Sequence, residues 1–325
     1  MTTLRRTMTI SLALGLPLAF AGCGGSAPAE ETTPTPTAVS SPETIPVPEG
    51  EGEELVEVLL EAPGEGAPAP LRLRPRPGQV QVVRMEMDAR VGVEIGGASR
   101  PPMAVPTIAM ELETRVTDVA TDGTFRQEAR VRSVEVRGDA GDPGVQQMQE
   151  QIAPLESYEG WAILDARGRV LALDFALAPG APPNLQQTME QVRDTMRQLM
   201  PPLPEEPVAV GARWRTVSNV EARGLRMVQE ARFTLRDRSA EGWTLAVELT
   251  QSADPQTLPS PQPGVEVELV ELASSGDGRM TVTEDARILS GRTSIELALD
   301  TLTRAQGREL PMRTQLAMDT RVQGL

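Results

Sequence analysis

The sequence predicts an α+β domain that is mainly antiparallel β: a large, one-sided twisted sheet or half-barrel with one or two helices packed on its apolar face. Three observations carry this. Long runs alternate between apolar and polar residues, the period of a half-buried strand. Only two segments switch to a helical period, and strand runs flank them rather than interleave with them, which argues against a parallel α/β fold. The polar phase of the runs is largely charged, so the sheet has one buried side and needs cover on it.

From Val82 to Ile95, Met85, Met87, Ala89, Val91, Val93 and Ile95 point one way while Arg84, Glu86, Asp88, Arg90 and Glu94 point the other. At ~3.4 Å per residue this is a strand of roughly 45 Å. Ile108, Met110, Leu112 and Val116 repeat the pattern, and Asp122-Gly123 turns the chain into Phe125–Val131. The phase then slips at Ser133, where Val134 and Val136 take over, which predicts a bulge. Trp161–Leu164 and Val170–Leu177 read as a hairpin around Asp165-Ala166-Arg167-Gly168. Two further strands carry Leu225, Met227, Ala231, Phe233 and Leu235, then Trp243, Leu245, Val247 and Leu249. After a Pro-rich loop, Asp254–Gly264, come Val265–Leu272 and Met280–Thr283, with Asp277-Gly278 read as a hairpin turn between strands. The last two strands hold Ile295, Leu297 and Leu299, then Met312, Leu316, Met318 and Val322, for about eleven strands in all.

Asp142-Pro143 offers an N-cap with proline at the first helical position, and Val145, Met148 and Ile152 then share a face. Asn184 can cap a second helix, with Gln187 completing a capping box. Leu185, Met189, Val192, Met196 and Leu199 form its apolar stripe, and Pro201-Pro202 ends it.

The organisation expected is residues 1–22 as a signal peptide, 23–70 as a tether and 71–325 as the β-rich domain. That domain divides into possible halves, 71–178 and 205–325, joined by helix 184–200. Gly24 to Pro70 is rich in proline, glycine and glutamate, with ten glutamates and no basic residue. Such a segment buries too little apolar area to offset its ordering entropy and reads as an extended, disordered link. Its reach at random-coil scaling is on the order of 40 Å. Leu55–Leu60 is the exception, readable as a brief helix, a brief strand or a transient apolar patch.

Composition closes most routes to catalysis. The chain has no histidine, and its 31 basic residues are all arginine. That removes the commonest general base and metal ligand, as well as Schiff-base and phosphate-loop lysines. No Gly-x-Ser-x-Gly or calcium-loop pattern appears, and Asp139, Asp142, Asp237, Glu241, Asp277 and Asp285 sit beside glycine turns, where acids are expected anyway. The formal net charge is −15, and −17 without residues 1–22, which hold Arg5, Arg6 and no acid. That charge disfavours nucleic acid and anionic lipid surfaces. The expectation is no enzyme, no cofactor and no metal.

Cys23 is the only cysteine. Arg5 and Arg6 precede a short apolar run, Ile10 to Phe20, which is too short to span a bilayer, and Ala21-Gly22-Cys23 follows. This arrangement resembles the signal peptide and lipobox of bacterial lipoproteins. The resemblance implies cleavage before Cys23, diacylglycerol on its thiol and attachment to a membrane. Gly24 in place of aspartate implies, by the same resemblance, the outer membrane.

The segment Pro201–Trp214 resembles one found in a poorly characterised family of bacterial secreted and lipid-anchored proteins. Leu203, Pro204, Pro207, Val208, Val210, Gly211 and Trp214 match its pattern. No activity accompanies that likeness, and the residues read as structural: prolines restricting a crossover, Gly211 permitting a turn, Trp214 anchoring a strand. The long strands with a helix on one face also look like the lipoprotein carriers of the periplasm and the mycobacterial lipid-binding lipoproteins, which are half-open barrels.

Two functions follow as expectations. The first is a non-catalytic envelope lipoprotein acting as a structural or interaction module. The second is a carrier or sensor of an apolar ligand such as a lipid or acyl chain. Fourteen methionines against four phenylalanines make an adaptable core. Met85, Met87, Met189, Val192, Met196 and Met200 are the candidate lining of a cleft between sheet and helix. A carrier requires a continuous apolar cavity and a structural module a filled core.

Overall fold

In the long runs, polar and often charged residues alternate with apolar ones, so each strand has one face that must be covered and one that water satisfies. The computed structural model describes residues 42–48, 56–139, 141–176, 201–222, 224–260, 262, 264–305 and 307–325. Among them the runs form fourteen strands. In chain order they are β1 (Glu57–Ala62), β2 (Val80–Ile95), β3 (Ala98–Ser99), β4 (Met103–Val119) and β5 (Phe125–Arg137). After helix α1 (Pro143–Ile152) come β6 (Glu159–Leu164), β7 (Val170–Ala176), β8 (Arg213–Ala222), β9 (Leu225–Ser239) and β10 (Gly242–Ala253). The last four are β11 (Gln256–Leu258), β12 (Val265–Val282), β13 (Ile288–Ala305) and β14 (Arg308–Gly324).

All belong to one unclosed sheet in the order β1-β8-β9-β10-β12-β13-β14-β2-β4-β5-β6-β7, with β11 beside β12 and β3 beside β2. Every neighbouring pair along that path is antiparallel. The last strand pairs with the first long one, from Met312↔Ile95 to Gly324↔Val83. Segments 71–178 and 205–325 therefore contribute to the same sheet. The sheet curls: Val116, Phe125 and Leu164 from one flank share a buried cluster with Trp214, Leu235, Leu245 and Val282 from the other.

Helix α1 forms as the capping signal predicts. Asp142 Oδ1 accepts the Gly144 N–H at 2.8 Å, proline occupies the first turn, and Val145 and Ile152 are buried. Its placement answers a backbone need. Strand β6 pairs with β5 only over Phe125–Arg130, leaving the rest of β5 as an edge. There Gln149 Oε1 accepts the Val136 N–H at 2.8 Å, Glu156 Oε1 accepts the Val134 N–H at 3.2 Å, and the Tyr158 carbonyl accepts that of Val131 at 3.3 Å. The β5 bulge falls where the phase slips: Glu111 faces Ser133 and Leu112 faces Val131, with Arg132 left over.

One expectation is corrected. Asp277-Gly278 is no hairpin turn but the interior of an 18-residue strand, β12, paired with Glu248 and Val247 on one side and Ser294 and Thr293 on the other. A Cβ on Gly276 or Gly278 would stand 2.7 Å from a backbone oxygen of β13, so these glycines permit the close approach of a strongly coiled sheet. The structure decides among the three readings of Leu55–Leu60 in the link. Within it, Glu57–Ala62 is a true strand whose Val58 and Leu60 pack on the main cluster and whose backbone pairs with Arg213–Val217 of β8. The expected helix 184–200 lies outside the described residues.

Candidate apolar-ligand site

Residues directly opposite each other in an antiparallel pair share a face, so register assigns the lining of the curled sheet. Met87 is buried with Ile108, Met110, Val131, Val134, Ile152, Leu155 and Tyr158, on the side that α1 covers. Met87 faces Thr320 and Met85 faces Val322; on the same phase Val91 faces Leu316 and Ala89 faces Met318. Leu316 faces Leu297 and Met318 faces Ile295; Leu297 in turn faces Ser274, which faces Gln251. The inward row is therefore Gln251, Ser274, Leu297, Leu316 and Val91 across five strands. Inward positions of β10 from Leu245, β12 from Leu272, β13 from Thr293, β14 from Met312 and β2 from Met85 carry no ionisable side chain as far as Ala253, Val282, Thr303, Val322 and Ile95 respectively.

The middle of this surface is a trough. Ile295, Leu297, Leu299, Met312, Leu316 and Met318 are half-buried, in contrast to the closed clusters at either end. The outward face has the opposite character. Arg321 pairs with Asp88 at 3.1 Å, Arg313 with Asp300 at 3.1 Å, Arg292 with Asp319 at 3.3 Å and Arg137 with Glu86 at 2.8 Å. Such exposed pairs stabilise weakly, at about 0–1 kcal/mol each, but keep that face wet. An outward groove of about 620 Å³ mixes Arg236, Arg279 and Arg292 with Glu248 and Asp277, so it favours neither sign of charge.

One end of the half-barrel is closed by loops. The Leu73 N–H donates to the Ala166 carbonyl and that of Leu203 to the Arg167 carbonyl, each at 2.8 Å, while Ala69 and Val208 bridge. Arginines clamp these loops through carbonyls: Arg72 donates to Pro204 and Glu205, Arg167 to Leu203, and Arg238 to Ala69 and Pro70. Burial holds the Arg167 guanidinium below its ordinary pKa, and the neighbouring Arg169 charge adds to this. The Pro201–Trp214 segment forms part of the closure. Gly211 adopts φ 86°, and Trp214 is fully buried with Nε1 donating to the Pro202 carbonyl at 3.0 Å.

Of the candidate lining residues, Met85 and Met87 sit on the inward face of β2, packed with the α1 cluster. Met189, Val192, Met196 and Met200, like Cys23, lie outside the described residues. Ser274 and Gln251 escaped the sequence reading. Ser274 is 7 % exposed, and among the described residues its Oγ has no hydrogen-bond partner. The signal was present as a polar residue on the apolar phase of Leu272 and Met280, hidden by the supposed turn at Asp277-Gly278. Among the described residues no group of three acids, histidines or cysteines is placed to hold a metal ion, and no helix is long and apolar enough to cross a membrane. Protein-family models and curated proteins were both compared with the chain, and none matches.

Proposed function

We propose that this chain is a lipid-anchored, non-catalytic protein of the bacterial cell envelope whose half-barrel carries or senses an apolar ligand. The observation that carries the reading is the contrast between the two faces of one sheet. The outward face is laced with ion pairs, while the inward face runs across five strands without a charge and stays half-exposed at Ile295, Leu297, Leu316 and Met318. An apolar surface left partly open inside a curved wall is what a ligand cleft requires. The anchor is Cys23, modified as in the lipoproteins its flanking residues resemble, with the outer membrane as its address.

A structural or interaction module is the second reading, favoured by the filled and clamped end around Trp214. Native mass spectrometry of the full chain separates the two. A carrier releases a bound apolar molecule of defined mass on activation, whereas a module gives only the mass of the polypeptide and its covalent lipid. The anchor is tested separately by radiolabelled palmitate: label enters the wild type and is absent from Cys23→Ser, which leaves the membrane fraction. Incorporation into neither would remove the anchor.

A further inference from the structure

We propose that the trough is built for an uncharged amphiphile, an alkyl chain bearing an alcohol or ester oxygen, and that Ser274 and Gln251 hold that oxygen-bearing head. This rests on the ligand reading above and names the ligand's chemical class.

Buried hydroxyls are almost always hydrogen-bonded, because leaving one unmet forfeits its bonds to water with nothing in exchange. Among the described residues Ser274 Oγ breaks that rule, at 7 % exposure in the floor of the trough. Its cross-strand neighbours are Gln251 on β10 and Leu297 on β13. The Gln251 Nε2 amide donates to Gln229 Oε1 at 2.7 Å, which fixes the side chain and leaves Gln251 Oε1 as an acceptor on the same row. The row thus runs from two amides, through a hydroxyl that both donates and accepts, into Leu297, Leu316 and Val91. It is polar at one end and apolar along the rest, as a single-chain amphiphile is.

The head is uncharged because the inward positions of these strands hold no ionisable group to meet a carboxylate or an ammonium. A buried, unpaired charge is penalised far more heavily than a neutral polar group. An alcohol answers both Ser274 Oγ and Gln251 Oε1; an ester carbonyl answers the Ser274 hydroxyl.

The test uses the full chain carrying Cys23→Ser, so that no covalent acyl chain competes, and follows displacement of the uncharged fluorophore N-phenyl-1-naphthylamine. The displacing probes are hexadecane, 1-hexadecanol, methyl hexadecanoate and, at pH 7, hexadecanoate. Hexadecanol and the methyl ester are expected to displace at about fivefold lower concentration than hexadecane, the scale of one net hydrogen bond, with hexadecanoate behind both. Ser274→Ala closes that gap without altering displacement by hexadecane, and Ser274→Thr, which keeps a hydroxyl, restores part of it. The thermal midpoint of Ser274→Ala without ligand stays level or rises, since the substitution removes an unmet group. A preserved gap in Ser274→Ala, a lowered midpoint, or hexadecanoate binding as well as hexadecanol would overturn the assignment of Ser274 while leaving the trough in place. Failure of every probe, hexadecane included, would overturn the ligand reading and this inference with it.

Discussion

The indole of Trp214 stacks on the ring of Phe233, with centroids 5.7 Å apart and planes 20° from parallel. The pair joins neighbouring strands β8 and β9 at the closed end of the half-barrel, and the indole N–H reaches the Pro202 carbonyl. One side chain thus ties the crossover to the sheet. Trp214→Ala is expected to cost about 3–5 kcal/mol in denaturant unfolding. Trp214→Phe keeps the stack but orphans the carbonyl and should cost about 1–2 kcal/mol. No loss from Trp214→Phe would deny the hydrogen bond a role, and equal losses from both would deny one to the stack.

Curvature resides in the glycines of β12. A Cβ on Gly278 meets the Arg292 carbonyl at 2.7 Å and Val247 Cγ1 at 3.0 Å, whereas one on Gly291 of β13 finds Val322 Cβ at an ordinary 3.5 Å. Gly278→Ala should therefore destabilise by about 1–3 kcal/mol, while Gly291→Ala should be neutral or slightly stabilising. Equal effects of the two substitutions on the urea midpoint would remove close strand approach as the cause.

These glycines also show where sequence reading stops. β2 was legible because its polar phase is charged and its other phase is apolar without a break from Met85 to Ile95. β12 was not, because Gly276-Asp277-Gly278 satisfies the local chemistry of a turn; only cross-strand register with β10 and β13 shows that the strand runs on. β1 was legible only as one of three readings, for a related reason. Its six residues sit in a proline- and glutamate-rich context, and the strand that pairs with them begins at Arg213, far away in sequence. Ser274 could not be recognised as inward-facing until the phase of β12 was known. The α1 cap at Asp142, in contrast, is a local signal and was fully readable.

Removing Glu57–Ala62 tests the strand within the link. Deletion exposes the outer edge of β8 and uncovers Trp214, whose neighbour in register is Leu60. A full chain lacking these six residues should unfold at a lower temperature than one lacking six residues between Gly24 and Thr37. Coincident thermal midpoints would return β1 to the link.

Tyr158 is the chain's only tyrosine, so phenolate absorbance reports it alone. Burial pushes its pKa up, and the Asp174 carboxylate adds to the shift. The folded state therefore keeps the proton over a range where the unfolded chain, with an ordinary value of about 10, has lost it. The stability this group contributes is complete below pH of about 10 and declines as the pH rises from there through the folded-state value. Absorbance at 295 nm should stay flat past that point in native protein and titrate normally in denaturant. Matching titrations would place the hydroxyl in water.

The most direct measurement of the central claim is saturable binding of N-phenyl-1-naphthylamine to the full Cys23→Ser chain, compared with the same chain carrying Leu316→Glu. Leu316 is half-buried in mid-trough, so a carboxylate there poisons the apolar floor while leaving both end clusters intact. The expected result is one saturable site in the parent and at least tenfold weaker binding in the variant at pH 7, with circular dichroism unchanged. Absence of saturable binding, or equal affinity in parent and variant, would contradict a ligand-bearing trough.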